Sequence, residues 1–145
     1  MTTPCPLDNV RIVLSRTSHP GNIGATARAM KTMGLSSLYL INPRLFPDRE
    51  ADARAVSARD ILDKIKICTE LDEALENTVL AAAITARTRM LSHDVFDARQ
   101  GAHELLRYAQ QKPVALLFGA ETSGLTTAEV NKCQIIIHIP TNPEF

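Results

Sequence analysis

Tryptophan is absent from this chain of 145 residues, and two tyrosines and four phenylalanines are its only aromatic side chains. So few rings exclude the base-stacking platform on which single-strand binders hold nucleotides. The three cysteines, Cys5, Cys68 and Cys133, are odd in number and lie far apart without a Cys-x-x-Cys pair. A disulfide framework is therefore excluded; reduced thiols of a cytoplasmic protein are expected, with no metal site. His93, His103 and His138 add no metal-ligand spacing and read as structural or surface residues. No apolar run reaches the roughly 20 residues that a bilayer crossing needs, so no membrane association is expected. The first residues, Met-Thr-Thr-Pro-Cys-Pro-Leu-Asp, have neither the basic nor the apolar part of a secretion signal. No Gly-x-Gly-x-x-Gly follows any strand-like run, which removes the ordinary dinucleotide fingerprint.

Net charge is missing too: 16 basic side chains balance 16 acidic ones. Bulk electrostatics thus argue against a general nucleic-acid binder. The distribution is less even. Residues 9–47 hold Arg11, Arg16, Arg28, Lys31 and Arg44 and no acid, and residues 77–93 hold Arg87 and Arg89 and no acid. A local basic face on a neutral protein and ordinary surface arginines both fit this pattern.

What is present is an alternation of short apolar runs with helical patterns, which indicates an α/β architecture with a mainly parallel sheet and flanking helices. Strands are expected near 10–15, 37–41, 65–68, 78–84, 113–118 and 134–139. Helices are expected near 22–33, 51–58, 71–76, 97–110 and 126–132. Nothing repeats and no linker divides the chain, so residues 1–145 are expected to form one domain, a size that buries roughly two-thirds of the unfolded surface.

Three segments carry residues with chemistry to offer. Residues 18–34 follow the first strand and open into a helix, with Asn22 where an N-cap belongs. Gly21 and Gly24 would keep that turn thin enough for another molecule's backbone to come close, and Gly34 would close the helix. Arg28, further along the same helix, is either a solvated charge or a phosphate contact just beyond a glycine-lined turn. His19, before Pro20, is expected to hydrogen-bond within the turn. The second segment is the small-residue strand Leu80-Ala-Ala-Ala-Ile-Thr85-Ala86, running into Arg87-Thr88-Arg89. In open α/β sheets ligands sit beyond the carboxyl ends of strands, although a strand packed tightly under a helix would look the same. Arg87 and Arg89 are candidates for phosphate contacts or solvent-facing charges. The third is Phe118-Gly119-Ala120-Glu121-Thr122-Ser123-Gly124-Leu125, an apolar strand that ends in a glycine-containing turn. Its Glu121 could bond backbone or a neighbouring arginine, or act as a first-turn helix acid.

Asn22, Gly24 and Arg28 match the Asn-x-Gly-x-x-x-Arg pattern, and Phe118, Gly119, Glu121, Gly124 and Leu125 match Phe-Gly-x-Glu-x-x-Gly-Leu. These resemble the first two motifs of the SpoU class of RNA 2′-O-ribose methyltransferases, in the SPOUT superfamily. The Thr-Ser-His-x-Gly and Arg-Ala-Met-Lys-Thr-Met-Gly flanks resemble the bacterial tRNA methyltransferases of the TrmJ type. The resemblance covers nearly the whole chain. It implies the SPOUT trefoil-knot fold, S-adenosyl-L-methionine as cofactor, a homodimer, and methyl transfer to a ribose 2′-hydroxyl. Transfer RNA is favoured over ribosomal RNA, with a pyrimidine nucleotide of the anticodon loop as target.

By the same resemblance Arg28 acts on the hydroxyl together with an RNA phosphate; on that reading Asn22 would shape the turn that aims Arg28, Glu121 is a further catalytic candidate, and Arg87 and Arg89 are candidates to touch RNA beside Arg28. Thr85, Ala86, Gly119, Ile139 and Pro140 would line the cofactor pocket. Residues 139–145, Ile-Pro-Thr-Asn-Pro-Glu-Phe, resemble the start of the third motif. Its Ser-Leu-Asn-Leu continuation is not in the sequence, so an incomplete knot tail and a truncated catalytic domain are expected. Two alternatives stand beside this reading: a non-catalytic RNA-binding module of the same fold, and a nucleotide-binding protein holding phosphate at Gly21–Gly24.

Overall fold

The computed structural model describes residues 5–86, 93–121 and 123–140. Seven strands occur among them: β1 (Val10–Ser15), β2 (Ser37–Ile41), β3 (Lys66–Cys68), β4 (Leu80–Thr85), β5 (Asp94–Phe96), β6 (Val114–Phe118) and β7 (Ile135–His138). They form one sheet in the order β3-β2-β1-β6-β4-β7-β5. Every pairing is parallel. The helices are α1 (Pro20–Met33), α2 (Arg49–Ala55), α3 (Arg59–Asp63), α4 (Leu71–Ala74), α5 (Ala98–Ala109) and α6 (Thr127–Asn131). None is long and apolar enough to cross a membrane.

Both faces of the sheet are covered, which is why its inner strands read as nearly continuous apolar runs. Alternate residues serve opposite faces. Ile12, Leu14, Leu38 and Leu40 join Ile23, Met30 and Leu105 in one core cluster. Val13, Tyr39, Ile41 and Leu117 join Leu71, Val130 and Cys133 in the other. The first layer contains α1, α2, α3 and α5; the second contains α4 and α6.

The helix after β1 begins earlier than expected, and Asn22 is not its N-cap. His19 occupies the cap in extended conformation (φ −110°), and Pro20 takes the first helical position. At that position proline has no N–H to leave unsatisfied and its ring presets φ, which suits it to start a helix. At the far end Gly34 adopts φ +81°, and the Leu35 N–H returns to the Met30 carbonyl at 2.8 Å. That is the Schellman finish expected of a terminal glycine.

Gly24 does permit a close approach, but the approaching chain is this protein's own α2. A Cβ there would lie 2.1 Å from the Ala51 carbonyl oxygen and 2.9 Å from the Ala55 nitrogen. Gly21 faces Glu50 in the same way, with Oε1 at 2.9 Å from a hypothetical Cβ. Substituting Gly24→Ala sets a helix-propensity gain of about 1 kcal/mol against overpacking that costs about 1–3 kcal/mol or more. The contact is with backbone that cannot rotate away, so we expect net destabilisation, measurable as a lower urea midpoint at unchanged slope.

Two elements fall outside the sequence expectations. Strand β5 has only three residues, two of them exposed, and a segment that short shows no period. The 51–58 helix is observed as α2, a 3-10 turn (Val56–Ala58) and then α3. The break occurs at Val56, whose φ of +53° is a left-handed value that β-branched residues rarely adopt.

Candidate active site at the carboxyl ends of the strands

The sheet order places β1, β6, β4 and β7 side by side, so the segments that follow them emerge along one edge. The centre of this edge is a carboxylate. Glu121 Oε2 accepts from the Ser18 N–H at 3.0 Å and from the Ser18 hydroxyl at 2.5 Å. Its Oε1 accepts from Asn22 Nδ2 at 3.2 Å. One side chain therefore ties the turn after β6 to the β1–α1 turn. Released from capping duty by Pro20, the Asn22 amide is free to donate across this gap. Glu121 lies in the turn before α6, so it is not a first-turn helix acid.

Partial burial pushes the Glu121 carboxyl up. The Ser18 hydroxyl and N–H, its own N–H and the Asn22 amide outweigh that and hold it at about 2. A folded value below the ordinary carboxylate value of about 4.3 stabilises the fold above that range. The contribution is lost as pH falls through about 2. Glu129 is lowered as well, by Arg16 and Ser15 against the opposing effect of burial. Urea midpoints should therefore fall as pH drops below about 4, and Glu121→Gln should flatten part of that slope while leaving the Glu129 part. An unchanged acid limb in the variant would show that the clamp does not exist in solution.

Behind this clamp lies a second one that sequence reasoning missed. Arg16, at φ +58°, donates from Nη2 to the Gly124 carbonyl at 3.0 Å and to Glu129 Oε1 at 2.9 Å. The Ser15 hydroxyl also donates to Glu129. Thr126 and Glu129 form a capping box at the start of α6. The Thr-x-x-Glu pattern that signals such a box was legible in the sequence; its long-range partner Arg16 was not.

The remaining predicted residues fall into two groups. The ends of β4 and β7 bring Thr85, Ala86, Ile139 and Pro140 together: the Ile139 N–H donates to the Thr85 carbonyl at 3.2 Å, and His138 Nε2 lies 3.0 Å from the Ala86 carbonyl oxygen. Gly119 directly follows the adjacent strand β6. It also borders a largely apolar groove of about 320 Å³ that includes Phe118, Glu121, Asn22, Thr26 and Met33. Arg28 is not in that groove. It is exposed on α1 and lines a neighbouring one, shared with Arg54 on α2. Its guanidinium makes no hydrogen bond or ion pair among the described residues. Arg87, Arg89, Thr122 and residues 141–145 lie outside the described residues. Burial pushes the Cys133 thiol up to about 12, so it offers no nucleophile at neutral pH.

Residues 9–145 match the family model for the SpoU rRNA methylase family. The chain belongs to that family. A family relative, the tRNA (cytidine/uridine-2′-O-)-methyltransferase TrmJ of Yersinia pestis (strain Pestoides F), is 48% identical over 139 residues. That match covers 96% of this chain and 54% of the relative, so the chain spans about half the length of the curated protein it matches. Among solved structures, TrmJ from Z. mobilis ZM4 superimposes with a TM-score of 0.87 at 34% identity, covering 93% of this chain and 60% of that one. The SpoU methyltransferase AviRb from Streptomyces viridochromogenes, solved in complex with AdoMet, has a TM-score of 0.69 at 19% identity. It covers 97% of this chain and 54% of its own, and at that identity the likeness concerns the fold. The α/β architecture with a parallel sheet is thus the SpoU one, as the two motifs implied.

Proposed function

We propose that residues 1–145 are the catalytic domain of a cytoplasmic RNA methyltransferase. It uses S-adenosyl-L-methionine to methylate a ribose 2′-hydroxyl, with a pyrimidine nucleotide of the tRNA anticodon loop as target, and works as a homodimer. The observation that carries this reading is the Glu121 clamp, in which the second SpoU motif grips Asn22 of the first and Ser18 of its flank. Support for tRNA comes from the activity named for the Yersinia relative.

The residues at the strand ends fit the cofactor. Thr85, Ala86, Gly119, Ile139 and Pro140 carry no charge, and Ile139 is 45% exposed. Small uncharged residues there leave backbone groups and apolar surface against which an adenosine could lie. When bound, the cofactor supplies a methyl group on a positively charged sulfur, an electrophile that needs no metal. The protein's part is to orient the 2′-oxygen and to stabilise charge developing on it. Asn22 and Glu121 hold the turn from which α1 starts, and α1 carries Arg28 two turns behind that clamp. A guanidinium stays protonated at any working pH, so Arg28 serves as a donor. It would fork between an RNA phosphate and the 2′-oxygen, leaving phosphate or water to accept the proton.

The test uses cofactor labelled in its methyl group, with tRNA and rRNA transcripts as acceptors. Label in alkali-resistant dinucleotides of tRNA is expected, because a 2′-O-methyl blocks cleavage at that linkage. Label in rRNA alone would favour the substrate that the family description names. Label in alkali-sensitive products would overturn ribose methylation.

A further inference from the structure

We propose that Arg54 is a second phosphate-binding arginine, which holds an RNA phosphodiester together with Arg28 across the groove between α1 and α2. The inference rests on the RNA reading above. It begins with Gly24. Because no side chain separates the helices there, the Arg54 Cβ comes within 2.9 Å of where a Gly24 Cβ would be. The stem of Arg54 is thereby laid against α1.

Arg28 and Arg54 then line the same open groove of about 480 Å³, together with Ala25, Ala29, Thr32 and Met33. Small residues keep the groove open between the two cations, and no carboxylate lines it. Thr32 donates its hydroxyl to the Arg28 carbonyl at 3.1 Å and is bonded to neither guanidinium.

Pairing distinguishes these two cations from Lys31 and Arg16. Lys31 is bound to Asp60 at 2.9 Å and Arg16 to Glu129 at 2.9 Å. Arg28 has no such partner among the described residues. Among the described residues Arg54 has only Glu50, at 3.9 Å, with both side chains more than half exposed (65% and 53%). A contact that long and that wet contributes little. A phosphate, with oxygens that match the guanidinium fork, would displace it. Two guanidiniums lining one groove also fix the direction in which a strand can cross α1, which a single arginine cannot do.

The test is RNA binding by the protein across a salt series, independent of methyl transfer. Arg54→Gln should weaken binding about tenfold at low salt and reduce the slope of log affinity against log salt by about 0.7–1, the share of one phosphate contact. Arg54→Lys should keep most of the slope. Arg107→Gln, which removes an exposed arginine of α5 already paired with Glu104, should change neither quantity. An Arg54→Gln protein that binds with wild-type affinity and slope overturns the inference, as does an equal loss in Arg107→Gln. If the losses appear as expected but no methyl is transferred, the phosphate contact stands and the methyltransferase reading fails.

Discussion

Arg28→Ala should lower the rate of RNA methylation by about 10²–10³-fold, the range typical for removing a donor aimed at developing negative charge. It should leave the affinity for S-adenosylhomocysteine within about twofold, because Arg28 lines a different groove from Gly119 and is assigned to the RNA and its 2′-oxygen rather than to the cofactor. The thermal midpoint should hardly move. The guanidinium is exposed and engages no described residue, so its loss orphans nothing. Arg28→Lys separates charge from shape: a lysine keeps the charge but cannot bridge two oxygens as a planar fork does. We expect it to lose most of the rate. A lysine variant that retained it would show that charge alone suffices, and an alanine variant at full rate would remove Arg28 from the chemistry. Rates at saturating RNA and cofactor, with calorimetry for the cofactor product, distinguish these results.

Gly119→Ala should be more disruptive than Gly24→Ala. The new Cβ would stand 2.3 Å from the Gly124 carbonyl carbon, 2.4 Å from the Leu125 nitrogen and 2.6 Å from the Gly124 oxygen. These are backbone atoms of a turn already closed by the Gly124 N–H to the Ala120 carbonyl at 2.8 Å. Arg16 holds the same Gly124 carbonyl at 3.0 Å. The turn cannot shift without loosening Arg16, and it cannot stay without a clash. Unlike Gly24, Gly119 is outside any helix, so no propensity gain offsets the strain. We expect a loss of about 3 kcal/mol or more of stability and at least tenfold weaker binding of S-adenosylhomocysteine, since the same turn carries Glu121. Urea unfolding and calorimetry on the variant read the two effects separately. Unchanged binding together with unchanged stability would mean that the turn is wider in solution than its geometry here.

Strands β1 and β2 were legible to the residue because both of their faces are largely buried, and a mostly apolar run ending at a polar residue marks its own bounds. The motifs at residues 22–28 and 118–125 were equally legible, since their residue types are set by local turns and the carboxylate between them. What the sequence hid was pairing at a distance. Asn22 reads as a cap in any local window, and only Glu121, which reaches it from the turn after β6, gives its amide another task. Arg16 shows no local feature that would pair it with Glu129. Strand β5 is specified by the edge of β7 that it joins, not by its own three residues. Gly24 announced a close approach without saying to what; α2 supplied the answer.

The strand order also dictates how this molecule must come into being. Among the described strands no two that follow one another form a hairpin, and the inner strand β1 pairs on one side with β6, Val10 with Val114. Emerging from a ribosome, the first strand can find β2 early, but its other edge stays open until most of the chain has been made. Such distant pairings make for slow folding, and an unsatisfied edge in the meantime is an invitation to the wrong partner. The burial on both faces that makes the finished sheet stable therefore leaves the nascent chain exposed for longest at its centre, where chaperone dependence and temperature-sensitive expression should first be felt.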